Sequence, residues 1–136
     1  MYTMGTVLRH GNDAQKSEFL PKIATGELRL QAFGVSEPTT GSDTTQLRTR
    51  ADKCDGGYVV NGQKVWTSRA AHSDLMLLLA RTTPADQVKK RVDGISVFLI
   101  DMNEAKKNGM EIVPIDAMVN HNTTEIFFDD VWIPES

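Results

Sequence analysis

The chain has 136 residues, 40% of them apolar and 24% charged, with a formal net charge of -3. That balance excludes a disordered tract, offers no basic excess to meet nucleic-acid phosphates, and suits one domain with a modest core. The single cysteine, Cys54, excludes an internal disulfide.

"MYTMGTVLRHG" reads as a helix with Gly11 as its C-cap. "NDAQKSEFLPKIATGE" follows, with Asn12 or Asp13 able to cap a second helix that Pro21 interrupts or restarts. From residue 28 the pattern changes to strands. "LRLQAFGV" (28–35) is partly alternating. "GYVVNGQKVWTS" (57–68) reads as two β-rich segments joined by a hairpin turn at Asn61-Gly62. "DLMLLLARTT" (74–83), "GISVFLIDM" (94–102), "MEIVPI" (110–115) and "TTEIFFDDVWIP" (123–134) complete the series. The links at 84–93 and 103–109 are polar and charged, and are expected on the surface. Many short strands with turn signals, and no alternation with helices, predict a mainly β fold: a small antiparallel β-barrel preceded by short α-helices. No apolar run is long enough to span a bilayer, and no signal-peptide pattern opens the chain. Two short helices make a poor core, and the chain stops soon after a strand, so it is expected to be a piece of a longer polypeptide.

Several chemistries have no support. His10, His72 and His121 form no ligand-spaced pair, and with one cysteine there is no zinc spacing. Ser36, Ser42 and Ser68 lie in no G-x-S-x-G elbow, and no Walker A motif is present. Two stretches remain. "QAFGVSEPTTGSD" (31–43) leaves a strand and presents small hydroxyls and glycines. It is either a self-satisfied surface turn or a loop that offers hydroxyls and backbone N–H groups to a ligand. "GQKVWTSRAA" (62–71) sets Trp66 beside Thr67 and Ser68. The indole either fills the core or covers a flat heteroaromatic ring whose edge the hydroxyl reaches.

Taken together, "AFGVSEPTTGSD" followed by "YVVNGQKVWTSRA" resembles the paired signature of the acyl-CoA dehydrogenases. "GNDAQKSEFLPKIATGE" resembles the segment leading into it, and "TTEIFFDDVWIP" the strand that closes the family's middle domain. The resemblance covers essentially the whole chain. It implies that residues 1–27 end an N-terminal helical domain, that 28–136 form the middle β-barrel, and that the C-terminal four-helix domain is absent.

The resemblance also implies non-covalent FAD. Phe33, Val35 and Ser36 would lie against the isoalloxazine, with Ser36 bonding its pyrimidine side. Gly41 and Ser42 would approach the pyrophosphate, and Ser42 also the pantetheine of the substrate. Trp66 would cover one flavin face, with Thr67 beside it in the cofactor set and Ser68 near N5. "WTSRA" departs from the common tryptophan-isoleucine-threonine-asparagine-glycine run. The reaction implied is α,β-dehydrogenation of an acyl-CoA, with hydride passing to flavin N5. No residue of this chain is assigned as the base, since the family's glutamate lies in the C-terminal domain and Glu37 reads as structural. The charge run "VKKR" (88–91) reads either as a solvated loop or, by the resemblance, as one from which Lys89, Lys90 or Arg91 would meet the phosphates of CoA, and His121 reads as structural or solvent-facing. An electron-transfer flavoprotein as acceptor and a homo-oligomer are implied, in the cytoplasm of a bacterium or the mitochondrial matrix of a eukaryote. Acyl-CoA oxidase or flavin monooxygenase chemistry, and a non-catalytic interaction module, are the competing readings.

Overall fold

The computed structural model describes residues 2–135. Two helices open the chain, α1 (Tyr2–His10) and α2 (Asp13–Thr25). Asn12 caps α2 in a reciprocal box: its side chain accepts from the Gln15 N–H at 2.8 Å, and the Gln15 side chain accepts from the Asn12 N–H at 3.1 Å. Pro21 does not interrupt the helix as expected. α2 runs through it and ends at Gly26, whose left-handed φ of 80° closes the last turn.

Seven strands follow: β1 (Leu30–Gly34), β2 (Arg50–Cys54), β3 (Gly57–Ser68), β4 (Leu75–Arg81), β5 (Ile95–Asp101), β6 (Met110–Pro114) and β7 (Thr123–Pro134). They form one curled sheet in the order β1-β4-β2-β3-β7-β6, with β5 on the other edge of β4. The β-rich, barrel-like fold is as expected, but the sheet is mixed. β1 runs parallel to β4 over Leu30–Gly34, and β2 joins β4 in parallel at Arg50 and Arg81. β1 and β2 thus follow one another along β4, and residues 35–49 are an excursion between them.

The expected hairpin at Asn61-Gly62 does not form. β3 passes straight through, and the tight turn is at Asp55-Gly56, joining β2 to β3 with Gly56 at a φ of 72°. Gly62 serves a different need. A Cβ there would fall 2.5 Å from Thr49 Oγ1 and 2.7 Å from Thr49 Cα, so glycine admits the backbone of the 35–49 excursion against β3. The link 103–109 also differs from expectation. It contains a short helix, α3 (Met102–Lys107), capped by Asp101, with Met102 and Ala105 buried.

β4 is buried on both faces, which explains its unbroken apolar run. Met76 and Leu78 join the barrel interior with Val60, Ile100, Ile126 and Val131. Leu75 and Leu77 instead meet Val7 of α1 and Phe19, Leu20 and Ile23 of α2, which seat the helices on the outside of the sheet. Among the described residues no helix is long and apolar enough to cross a membrane.

Candidate functional site

The two stretches singled out in the sequence meet at one corner of the sheet. β1 alternates strictly, with Leu30, Ala32 and Gly34 buried and Gln31 and Phe33 outward. Near the end of β3 the exposed residues are Trp66 and Ser68. Arg69 Nε donates to Gln31 Oε1 at 2.8 Å, so both outward faces belong to one surface. The Val65 N–H donates to the Ser36 carbonyl at 2.9 Å, tying the backbones together just behind it.

A bulge shapes this corner. β3 takes three steps from Lys64 to Thr67 while β7 takes two from Ile126 to Thr124. Trp66 absorbs the extra residue with a φ of 61°, a left-handed conformation that a bulky side chain rarely adopts. The indole is turned outward and is 64% exposed, whereas Thr67 is 2% exposed. Thr67, expected among the cofactor contacts, therefore keeps its side chain inside the sheet and offers the outer face only backbone. The Ser68 hydroxyl accepts from Asn120 Nδ2 at 2.9 Å, and the Arg69 N–H donates to the Asn122 carbonyl at 2.8 Å. The loop before β7 thus borders the corner, with His121 exposed on it.

After Ser36 the excursion folds on itself. Glu37 and Thr40 exchange both backbone hydrogen bonds, at 2.9 and 3.0 Å, across Pro38-Thr39. Gly41 and Ser42 follow, exposed. A Cβ at Gly41 would meet nothing within 4 Å, so packing within the chain gives no reason for glycine there. Asp43 is engaged locally, accepting from the Thr45 hydroxyl and N–H and from the Gln46 amide; the Thr45 hydroxyl does most to hold its carboxyl below the ordinary value.

Beneath the turn lies an ion pair that the sequence reading missed. Lys64 Nζ meets Glu37 Oε1 at 2.8 Å with the lysine side chain 0% and the glutamate 4% exposed. Nζ also donates to the Val35 carbonyl at 3.1 Å. The Glu37 carboxylate accepts from the Arg48 N–H at 2.6 Å and the Thr49 N–H at 2.9 Å. Burial alone would raise the Glu37 carboxyl, but the hydrogen bonds from Lys64, Arg48 and Thr49 together hold it below its ordinary value. Burial pushes the Lys64 ammonium down against the opposing pull of Glu37. The expectation that Glu37 is structural agrees with this arrangement. Val60 and Lys64 both face inward on one strand, but with a turn expected between them at Asn61-Gly62 their spacing gave no clue in the sequence.

At the far end of the excursion, an open groove of ≈ 610 Å³ is lined by Arg48, Arg50, Arg81, Arg91, Thr82 and Asp86, among others. Arg81 braces it, donating to the Thr45 carbonyl at 2.9 Å and the Arg91 carbonyl at 3.1 Å. Lys89 and Lys90 are exposed on the adjoining loop. Among the described residues no group of three histidine, cysteine or acidic side chains is placed to hold a metal.

The geometry thus brings Phe33, Val35, Ser36, Trp66 and Ser68 to one corner and places Gly41 and Ser42 further along the same loop. The family model for the acyl-CoA dehydrogenase middle domain matches residues 32–131. The chain is 38% identical over 129 residues to Acyl-CoA dehydrogenase FadE26 of Mycobacterium tuberculosis, covering 95% of this chain and 31% of that protein. It is 33% identical over 128 residues to the mitochondrial isovaleryl-CoA dehydrogenase of Oryza sativa, covering 94% and 30%. The crystal structure of the ChsE4-ChsE5 complex from M. tuberculosis superposes with a TM-score of 0.86 at 38% identity, over 96% of this chain and 33% of that one. The chain therefore spans about a third of the length of these relatives, and it belongs to the acyl-CoA dehydrogenase family, a family of flavoprotein oxidoreductases, matching its middle domain.

Proposed function

We propose that this chain is the flavin- and thioester-facing domain of an enzyme that desaturates an acyl-CoA at its α,β bond. Residues 1–27 would end an N-terminal helical domain and 28–136 form the barrel. The observation that carries the reading is the bulge that turns Trp66 outward beside Phe33, Ser36 and Ser68. A flat heteroaromatic ring needs apolar faces to lie on and hydrogen-bonding groups at its edge, and this corner supplies both. Its donor set fits FAD: Trp66 would cover one face, Phe33 and Val35 would pack near the ring, and the Ser36 and Ser68 hydroxyls would bond its pyrimidine side and the region of N5. Gly41 has open space on its Cβ side, which suits close approach of a pyrophosphate, and Ser42 would also reach the pantetheine.

Bound FAD would supply the acceptor for the β-hydrogen as hydride. This chain's residues would orient the ring and keep water from its covered face. None is assigned the α-proton abstraction, because Glu37 is buried and already meets three donors, and Asp43 is engaged by Thr45 and Gln46. The arginine-lined groove, with Arg91 and the neighbouring Lys89 and Lys90, suits the phosphates of CoA. Catalysis would then belong to a longer protein acting as a homo-oligomer, with an electron-transfer flavoprotein as acceptor, in a bacterial cytoplasm or a mitochondrial matrix.

The test is to purify the chain, add excess FAD and measure bound flavin by titration, with an acyl-CoA dye-reduction assay alongside. The expected result is a folded protein that binds FAD weakly, through the Trp66 corner, and turns over no acyl-CoA. Tight stoichiometric FAD with measurable turnover would overturn both the missing base and the placement of the site.

A further inference from the structure

Lys64 is the largest side chain that is fully buried in the described protein. A buried ion pair is a poor source of stability, because removing two charges from water offsets most of their attraction and an apolar pair of equal volume often does as well. Its hydrogen bonds are directional, however, and here they all converge on one loop. Lys64 holds the Val35 carbonyl and the Glu37 carboxylate from β3. Glu37 in turn holds the Arg48 and Thr49 amides, where the chain re-enters the sheet. Glu37 directly follows Ser36, and Lys64 stands two residues before Trp66. The pair therefore bridges the two segments that meet at the corner, one residue from Ser36 on one side and two from Trp66 on the other.

From this we infer that Glu37 and Lys64 are positioning residues, which set the register between segment 33–36 and Trp66 and so fix the geometry of the ring-binding corner. The inference rests on the flavin reading only for what is being positioned; the clamp itself is a property of the chain. The bulge at Trp66 explains the need. A strand with an extra residue and a left-handed tryptophan has alternative registers, and a charged pair accepts only one. Neutral residues of the same size would fill the space without choosing among them.

The experiment compares the chain with its Glu37→Gln/Lys64→Met variant, which keeps volume and removes both charges. Amide hydrogen exchange is read residue by residue, together with the indole N–H resonances of Trp66 and Trp132. The expected result is exchange about tenfold or more faster at Arg48, Thr49 and Val65, with β4 and β5 amides changing by less than about threefold. The Trp66 indole resonance should shift or split while that of Trp132 stays in place. Native-like exchange and an unmoved Trp66 resonance would overturn the inference, because the pair would then position nothing. Acceleration throughout β4 and β5, or a variant that does not fold, would also overturn it, because the pair would then be general support for the core. No flavin is present in this measurement. The flavin reading fails separately, if excess FAD added to the native chain shifts resonances away from Phe33, Ser36, Trp66 and Ser68.

Discussion

Trp66 and Thr67 are adjacent on β3 and leave it on opposite sides: the indole is 64% exposed, and the threonine hydroxyl is enclosed without a hydrogen-bond partner among the described residues. The hydroxyl of Thr124, the register partner of Thr67 on β7, donates instead to the Thr67 carbonyl at 2.8 Å. An enclosed hydroxyl with no partner is a standing penalty that a methyl group of the same shape avoids. Thr67→Val is therefore expected to raise the unfolding free energy by about 1 kcal/mol. Urea denaturation measures it, and a loss of stability would mean that the hydroxyl has a partner this structure does not show.

Trp66 lends itself to the complementary test. Its left-handed backbone is strained, and its side chain packs against little of the chain. Trp66→Gly relieves the strain while adding chain entropy to the unfolded state, so stability should stay within about 1 kcal/mol of native. Any response of the corner to FAD should disappear, and in a longer protein carrying this domain Trp66→Ala should weaken flavin retention and change its visible spectrum. Flavin binding that survives either change would remove Trp66 from the ring.

How much of this was legible in the sequence depends on whether the signal was local. β1 was readable from its partial alternation, β4 to β7 from their apolar runs, and the start of α2 from Asn12, whereas the reciprocal bond from Gln15 was not. The hairpin was misplaced because Asn-Gly is a turn signal in isolation, whereas Gly62 is glycine for the sake of Thr49, thirteen residues earlier. β2 was hidden for a related reason. Its sequence Arg-Ala-Asp-Lys-Cys is mostly polar, and only Ala51 faces the core. The outward members of the candidate corner were legible as a motif. The clamp beneath it was not, because a buried lysine looks like any other lysine until its partner, twenty-seven residues away, is placed beside it. The parallel β1–β4 pairing is non-local in the same sense.

Two glycines separate packing from ligand approach. Gly62→Ala forces a Cβ to within 2.5 Å of the Thr49 side chain and 2.7 Å of its Cα, at a φ of 150° that suits few other residues. A loss of about 2–3 kcal/mol is expected, since backbone rather than a flexible side chain must move. Gly41→Ala meets no atom of the chain and should change stability by less than about 1 kcal/mol. If the phosphate reading is right, the same Gly41→Ala change weakens FAD binding. Denaturation of the two variants side by side checks the first contrast, and titration with FAD checks the second.

The buried pair also sets how the protein responds to acid. Glu37 has a folded-state carboxyl held below its ordinary value of 4.5. Between the two values the unfolded chain binds more protons than the folded one, so stability rises with pH across that window. The contribution is fully present above the unfolded value and is lost as pH falls through the folded one. Asp74, held down first by its hydrogen bond to Arg29, and Asp43, held down first by Thr45, shift in the same direction and add to the same limb. Both are far more exposed than Glu37 and are screened by solvent, so Glu37 should supply the larger share. The urea midpoint of the native chain is expected to fall as pH drops from about 6 to about 3. In the Glu37→Gln/Lys64→Met variant the fall should be shallower, with the remainder assigned to Asp43 and Asp74. Equal slopes in the two proteins would mean that Glu37 titrates alike in the folded and unfolded chains, and that its hydrogen bonds to Lys64, Arg48 and Thr49 do not favour the charged form.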